Sequence, residues 1–169
     1  MLTKKIFPSL VAAVGLLISA CSNYQVSLNE MSVYQPPSLL TDVRANDTAL
    51  ADCINQHIKD QQVTEASTLE RLLCSSAGIS TLAGLSQFRG VQLLNLSDNS
   101  ITSLTGMQGM AELRELNLAN NELTDVQELF NLPKLEWVDL TGNQAVSCTD
   151  LQQLSKLPGL TVVAPATCR

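Results

Sequence analysis

From Leu69 onward, apolar residues recur in a pattern that repeats every 22 residues. The pattern is L-x-x-L-x-L-x-x-N, with Val replacing Leu at some positions. Its copies begin at Leu69, Val91, Leu113, Leu135 and, incompletely, Leu157. The first copy carries Cys74 at its third apolar position and Ala77 in place of Asn. A unit this short buries its apolar face only by stacking on neighbouring copies, so the pattern predicts a solenoid.

Within each copy, the L-x-L segment predicts a short β-strand whose apolar residues point into the core. Successive strands are expected to stack about 4.8 Å apart as a parallel sheet. After each Asn, apolar residues fall at about every third position, and in the fourth copy they continue through Ala145 and Cys148. This spacing predicts short 3₁₀ turns on the opposite, convex side.

A helix is predicted immediately before the repeats. Its apolar residues form one stripe, at Leu50, Cys53, Ile54 and Ile58. Either Asn46 or Asp47 can cap it by accepting hydrogen bonds from its first free N–H groups. Because a solenoid exposes its core at both ends, we expect this helix to cover the first repeat.

The 22-residue pattern resembles the leucine-rich repeat and is similar to the short repeats of bacterial internalin-like proteins. The resemblance implies an α/β solenoid with a short parallel sheet on its concave face. We expect an N-terminal helical cap over residues 46–68, and repeats with a C-terminal cap over residues 69–169. A repeat fold does not by itself name a ligand, so function has to be argued from the exposed faces.

One asparagine recurs where the chain leaves each predicted strand, at Asn99, Asn121 and Asn143. Stacking brings these residues into a column. Their amides can satisfy buried backbone groups of the turns, each of which would otherwise cost roughly 1–3 kcal/mol. We therefore interpret the column as structural rather than as a glycan or metal site.

The first 20 residues have the pattern of a secretory signal peptide, with Lys4 and Lys5 before an apolar stretch over residues 6–18. Ile18-Ser19-Ala20-Cys21 resembles the lipobox of bacterial lipoproteins. The resemblance implies that Cys21 carries diacylglycerol and an N-acyl group, and that the protein is anchored in a bacterial envelope, periplasmic or surface-exposed. Ser22, in place of Asp, implies the outer membrane. The alternative is an ordinary cleaved signal followed by an unmodified Cys.

Residues 21–45 are rich in Ser, Asn, Gln and Pro and show no sustained periodicity. We interpret them as the lipidated N-terminus and a flexible tether.

Four cysteines remain besides Cys21, and an even number in an exported domain favours two disulfides. Three connectivities are possible. Positions in the repeat favour Cys53–Cys74 at the capping helix and Cys148–Cys168 at the other end. Free buried thiols are the alternative. Without C-x-x-C pairs or a second His, no metal site is predicted.

The residues beside the inward leucines of each strand are expected to face outward on the concave sheet. The candidate partner-binding residues among them are Arg71, Leu73, Leu93, Asn95, Glu115, Asn117, Trp137 and Asp139. An aromatic residue with exposed leucines and a polar rim is typical of a protein-binding hot spot. The alternative is a structural role, in which Trp137 only covers the sheet or packs against the tether.

Charge and residue types exclude several functions. The net charge of −6 argues against nucleic-acid binding, which needs a basic patch. His57 is the only histidine and lies beside the helix stripe, where a packing role is expected; no thiol nucleophile or phosphate-binding loop is evident. We therefore predict that the protein is not an enzyme and that it carries no cofactor besides the lipid at Cys21. The predicted function is protein binding; the alternatives are a structural spacer of the envelope, or a glycan- or peptidoglycan-binding module that stacks sugars on Trp137.

Overall fold

The computed structural model describes residues 26–28, 31–34 and 36–168. The predicted signal peptide over residues 1–20 and the lipidation site Cys21 lie outside these residues. The chain divides after Ser38 into two units. In the first unit, strands β1 (Val26–Leu28) and β2 (Met31–Tyr34) form an antiparallel hairpin. Among the described residues, no helix is both long and apolar enough to cross a bilayer.

The second unit is the predicted solenoid. Helix α1 (Thr48–Asp60) precedes four strands, which are β3 (Arg71–Leu73), β4 (Leu93–Asn95), β5 (Glu115–Asn117) and β6 (Trp137–Asp139). Helix α2 (Cys148–Leu154) and strand β7 (Thr161–Val163) follow. The sheet order is β3-β4-β5-β6-β7 and every pair is parallel. The chain returns between strands through turns and through short 3₁₀ segments such as Leu85–Gln87 and Gln127–Asn131, in line with the predicted convex side.

The core follows the apolar positions of the repeat. The middle residue of each of the first four strands points inward and is at most 1 % exposed, at Leu72, Leu94, Leu116 and Val138. Each such side chain contributes roughly 1.5–3 kcal/mol by leaving water. Because neighbouring residues of a strand point to opposite sides, the first and third residues of each of the strands β3 to β7 lie on the concave surface.

Asp47 is the N-cap residue of helix α1, and its side chain also joins the helix to the first repeat. Its Oδ1 accepts hydrogen bonds from the N–H of Ala49 and Leu50, at 2.9 and 3.1 Å. Its Oδ2 accepts from the N–H and hydroxyl of Ser80 and from the N–H of Thr81, at 2.8 to 3.2 Å. Burial alone would raise the pKa of Asp47, but these hydrogen bonds lower it from 3.8 to about 2. Of the two predicted caps, Asp47 is the one used.

The predicted tether extends too far, because residues 39–45 belong to the folded unit. Leu39, Leu40 and Val43 pack against the core, and the N–H of Leu40 donates to the carbonyl of Val63 at 2.9 Å. The segment also passes so close to Gly84 that a Cβ there would lie 1.7 Å from a backbone oxygen. The segment is too short to show a sustained period of apolar residues, so periodicity did not reveal its packing.

The last repeat departs from the 22-residue spacing. Val138 pairs with Val162, which is 24 residues later, whereas the pattern predicts Leu160. Leu157 is accordingly 36 % exposed, and Val146 is buried in place of the exposed Ala145. This repeat returns through an α-helix, which rises only 1.5 Å per residue against about 2.0 Å in a 3₁₀ segment. More residues are therefore needed to span the same distance.

The asparagine column connects successive repeats, as predicted. The Nδ2 of Asn143 donates to the carbonyls of Leu118 and Leu140 at 2.9 and 3.1 Å, and its Oδ1 accepts from the N–H of Leu123. Asn121 makes the equivalent bonds one repeat earlier, and Asn99 another repeat before that. Each amide thus bonds its own turn to the backbone of the preceding repeat.

Candidate functional site

Two columns of side chains cross the concave face of the sheet. Strand pairing aligns the first column as Arg71, Leu93, Glu115, Trp137 and Thr161. It aligns the second as Leu73, Asn95, Asn117, Asp139 and Val163. All eight residues predicted for partner binding therefore lie on one surface, in the order that the repeat predicts.

Six of these eight residues line one shallow concavity of about 170 Å³, which we call the Trp137 groove. Its lining consists of Leu73, Leu93, Leu94, Asn95, Glu115, Asn117 and Trp137. Leu73 is 44 % exposed, and Trp137 is half-buried rather than fully exposed. The volume lies below the 300–1,000 Å³ typical of small-molecule pockets.

Arg71 and Asp139 do not line this groove. Arg71 instead borders a second concavity of about 260 Å³ with His57, Gln61 and Leu73, next to helix α1. Leu73 is common to both concavities, so they adjoin. The concave surface therefore extends past the sheet onto the capping helix.

Three of the predicted binding residues also stabilise turns. Asn95, Asn117 and Asp139 each accept a hydrogen bond at their side-chain oxygen from the backbone N–H two residues later, at 2.8 to 3.0 Å. This is the Asx-turn geometry. One acceptor of each is therefore committed to the fold, and their role in partner binding stays a prediction. The recurrence of Asn or Asp at one repeat position is the signal that would have revealed it.

Helix α1 satisfies the open edge of strand β3, a role that sequence reasoning missed. The N–H of Leu73 donates to Nε2 of His57 at 3.2 Å, and Nδ1 of His57 lies 3.0 Å from the carbonyl of Cys53. Gln61 donates from its amide to the carbonyl of Arg71 at 2.9 Å. Unpaired strand edges invite association, and these side chains cover this one.

Cys53, His57 and Cys74 lie close enough together to suggest a metal site, with ligand atoms within 4.8 Å. The two sulfurs, however, form a disulfide, so neither is available as the thiolate that zinc requires. The cluster instead joins α1 to β3. A second disulfide, Cys148–Cys168, joins α2 to the C-terminal segment, with Cα atoms 5.2 Å apart. Both pairs are those that the sequence predicts.

The ion pairs beside the concave face connect neighbouring repeats. Arg114 pairs with Glu136, and Lys134 pairs with Glu112 at 2.6 Å. These exposed pairs are worth at most about 1 kcal/mol each. Glu115 is exposed and belongs to no ion pair within residues 36–168. Strand pairing sets this carboxylate side chain next to Trp137.

Comparisons with known proteins agree with this architecture. Residues 91–145 match the leucine rich repeat family. Among solved structures, the chain is similar to an internalin from Listeria monocytogenes, with 23 % identity and a TM-score of 0.63 over 72 % of this chain. It spans 37 % of the length of that internalin. The search of curated proteins gave no match. The folded unit that begins at Leu39 therefore has the fold of a leucine-rich repeat solenoid.

Proposed function

We propose that this protein is a lipid-anchored envelope protein whose leucine-rich repeat domain binds a protein partner through its concave face, without catalysis. The observation that carries the proposal is the Trp137 groove. It combines a half-buried Trp with the 44 % exposed Leu73 and the partly exposed Leu93, inside a polar margin. Trp is among the residues that contribute most to protein interfaces.

Rigidity of the concave face supports the proposal. The sheet is held between two disulfides, and the asparagine amides bond each repeat to the one before it. A surface that is ordered before binding loses little conformational entropy when a partner docks. Outward side chains outside the turn hydrogen bonds, such as those of Leu93, Glu115 and Trp137, can therefore be replaced while the scaffold that presents them is kept.

A pair of variants separates recognition from packing. Trp137→Ala should melt close to the wild-type temperature, because the indole lies outside the apolar core, yet weaken partner binding by roughly 2 kcal/mol or more. Leu118→Ala removes a fully buried side chain and should destabilise the domain by roughly 2–5 kcal/mol. Thermal melts and cross-linking mass spectrometry on intact envelopes measure the two effects.

Two results would contradict the proposal. If Trp137→Ala retains every protein contact made by the wild type, the concave face is not the binding surface. If the variant instead loses binding to purified peptidoglycan while its protein contacts persist, the ligand is a glycan.

We also propose that Cys21 carries the membrane anchor and that the protein resides in the outer membrane of a bacterial envelope. Two or more acyl chains hold a protein stably on a bilayer, because each buried methylene contributes about 0.8 kcal/mol. Cys21→Ser should abolish labelling by a palmitate analogue and release the protein from the membrane fraction. Persistent labelling of this variant would show that the anchor is elsewhere.

A further inference from the structure

The indole of Trp137 lies beside an acidic side chain that forms no ion pair within residues 36–168. Strand pairing sets Trp137 directly opposite Glu115, and both line the Trp137 groove. Neighbouring strands lie about 4.8 Å apart, so the two residues are adjacent. Leu93 is the next residue in the column. The carboxylate thus lies between an aromatic ring and an aliphatic side chain.

Among the residues that line the groove, the charge is negative and comes from Glu115. Glu115 forms no ion pair within residues 36–168, and the preceding Arg114 is already paired with Glu136. Asp139 follows Trp137 on the same strand and face, and its Oδ1 accepts a backbone hydrogen bond from Thr141 at 2.8 Å. None of the residues that line the groove is basic. The groove therefore attracts positive charge.

We infer that Trp137 and Glu115 form a subsite for a cationic side chain, a lysine or arginine of the protein partner. The inference rests on the proposed function, since it names the chemistry that the concave face recognises. The face of an indole attracts a cation through its quadrupole, more strongly than the face of Tyr or Phe. The carboxylate of Glu115 adds a direct attraction between opposite charges.

The same groove argues for a side chain of a protein rather than a metal ion. Calcium takes six to eight oxygen ligands and magnesium requires an octahedron. The groove offers one carboxylate, of Glu115, and the amides of Asn95 and Asn117, whose oxygens already accept turn hydrogen bonds. Apolar atoms of a partner would remove the exposed surfaces of Leu73 and Leu93 from water, which is favourable. The occupant is therefore a basic residue flanked by apolar ones.

Trp137 is the only Trp in the chain, so intrinsic fluorescence reports directly on this site. The disulfide-bonded protein is titrated with N-acetyl-Leu-Lys-Leu amide and with the matched peptide that has Gln at its centre. The Lys peptide should change the fluorescence saturably, with an apparent affinity about tenfold higher than that of the Gln peptide. Glu115→Gln should remove most of this preference. Glu128→Gln, on a convex 3₁₀ segment, should retain it.

Every other outcome overturns the subsite. Equal affinity for both peptides would show that the concave face binds their apolar residues without recognising a cation. An unchanged fluorescence with either peptide would show that the groove binds neither. A Lys preference that survives in Glu115→Gln would place the cation elsewhere. Failure of the proposed function gives a different result: the peptide preference holds, while Trp137→Ala retains every protein contact in the envelope.

Discussion

Asp47 makes the stability of the domain depend on pH in a direction that the structure determines. Its pKa is about 2 in the folded protein against 3.8 as the ordinary value, because backbone and hydroxyl groups hydrogen-bond the carboxylate. The unfolded chain therefore binds the proton more readily. The contribution of Asp47 is fully present above about pH 4 and is lost as the pH falls through about 2. A shift of this size corresponds to about 2 kcal/mol.

Urea denaturation between pH 2 and pH 7 measures this contribution in the wild type and in Asp47→Asn. Asn provides only one oxygen, so the hydrogen bonds to α1 and to Ser80 cannot all form. At neutral pH the variant should be less stable by at least about 2 kcal/mol, since it also leaves buried N–H groups without acceptors. The difference in free energy of unfolding between the wild type and Asp47→Asn should become smaller as the pH falls from 4 to 2.

The control is Asp52→Asn, which removes an exposed carboxylate from the same helix. The free energy of unfolding of this variant should follow that of the wild type at every pH, because the substitution leaves the hydrogen bonds of Asp47 in place. A difference between wild type and Asp47→Asn that stays constant from pH 7 to pH 2 would refute the reasoning, since no charge-dependent bond would then be lost.

Three further substitutions test the scaffold. Asn143→Ala should lower the free energy of unfolding by roughly 2–4 kcal/mol, because buried backbone groups of two repeats lose their partners; urea denaturation measures it. Gly84→Ala should expose the segment before α1 to protease, because a Cβ there would lie 1.7 Å from the carbonyl oxygen of Arg44. Replacing both Cys148 and Cys168 by Ser should cost roughly 2–4 kcal/mol in thermal or urea unfolding.

Each substitution has a contrasting result. Asn99 is partly exposed, so Asn99→Ala should cost less than Asn143→Ala; the reverse order would contradict the role of burial. Gly78→Ala is the control for Gly84→Ala, since a Cβ at Gly78 meets no atom within 4 Å although its φ is also positive. Equal proteolysis of both would show that close packing of the segment is not the cause. A double Ser variant as stable as the wild type would show that the C-terminal disulfide contributes nothing.

The stacked part of the fold was predictable because its repeats are equivalent. Once one L-x-L segment is taken as a strand, the 22-residue spacing aligns Leu72, Leu94, Leu116 and Val138, and the structure buries all four. The same alignment places Cys74 beside the helix stripe that carries Cys53. Periodicity predicts these positions because equivalent residues of successive repeats pack in equivalent surroundings.

Features outside the period were not predictable in this way. The fourth repeat returns through α2, whose first turn is capped by the hydroxyl of Ser147 accepting from Asp150, and this helix shifts β7 by two residues. A choice between α and 3₁₀ geometry is decided by such caps and by packing rather than by hydrophobic spacing.

The concave surface was predictable as a set of positions but not as a set of roles. Alternation along each strand shows that Asn95 and Asn117 face outward, yet it does not show that their oxygens accept turn N–H groups. The contact between His57 and strand β3 joins residues 16 positions apart in different elements, which no local pattern encodes. The adjacency of Glu115 and Trp137, in contrast, follows from the repeat alone.

Site-specific photo-cross-linking in living cells tests the central claim most directly. A photoreactive phenylalanine replaces Trp137 on the concave face or, as a matched position, Gln108 on the exposed convex side. The proposed function predicts a discrete protein adduct from position 137 and none from position 108. Adducts from position 108 alone would contradict it, and would place the interaction on the convex side of the solenoid.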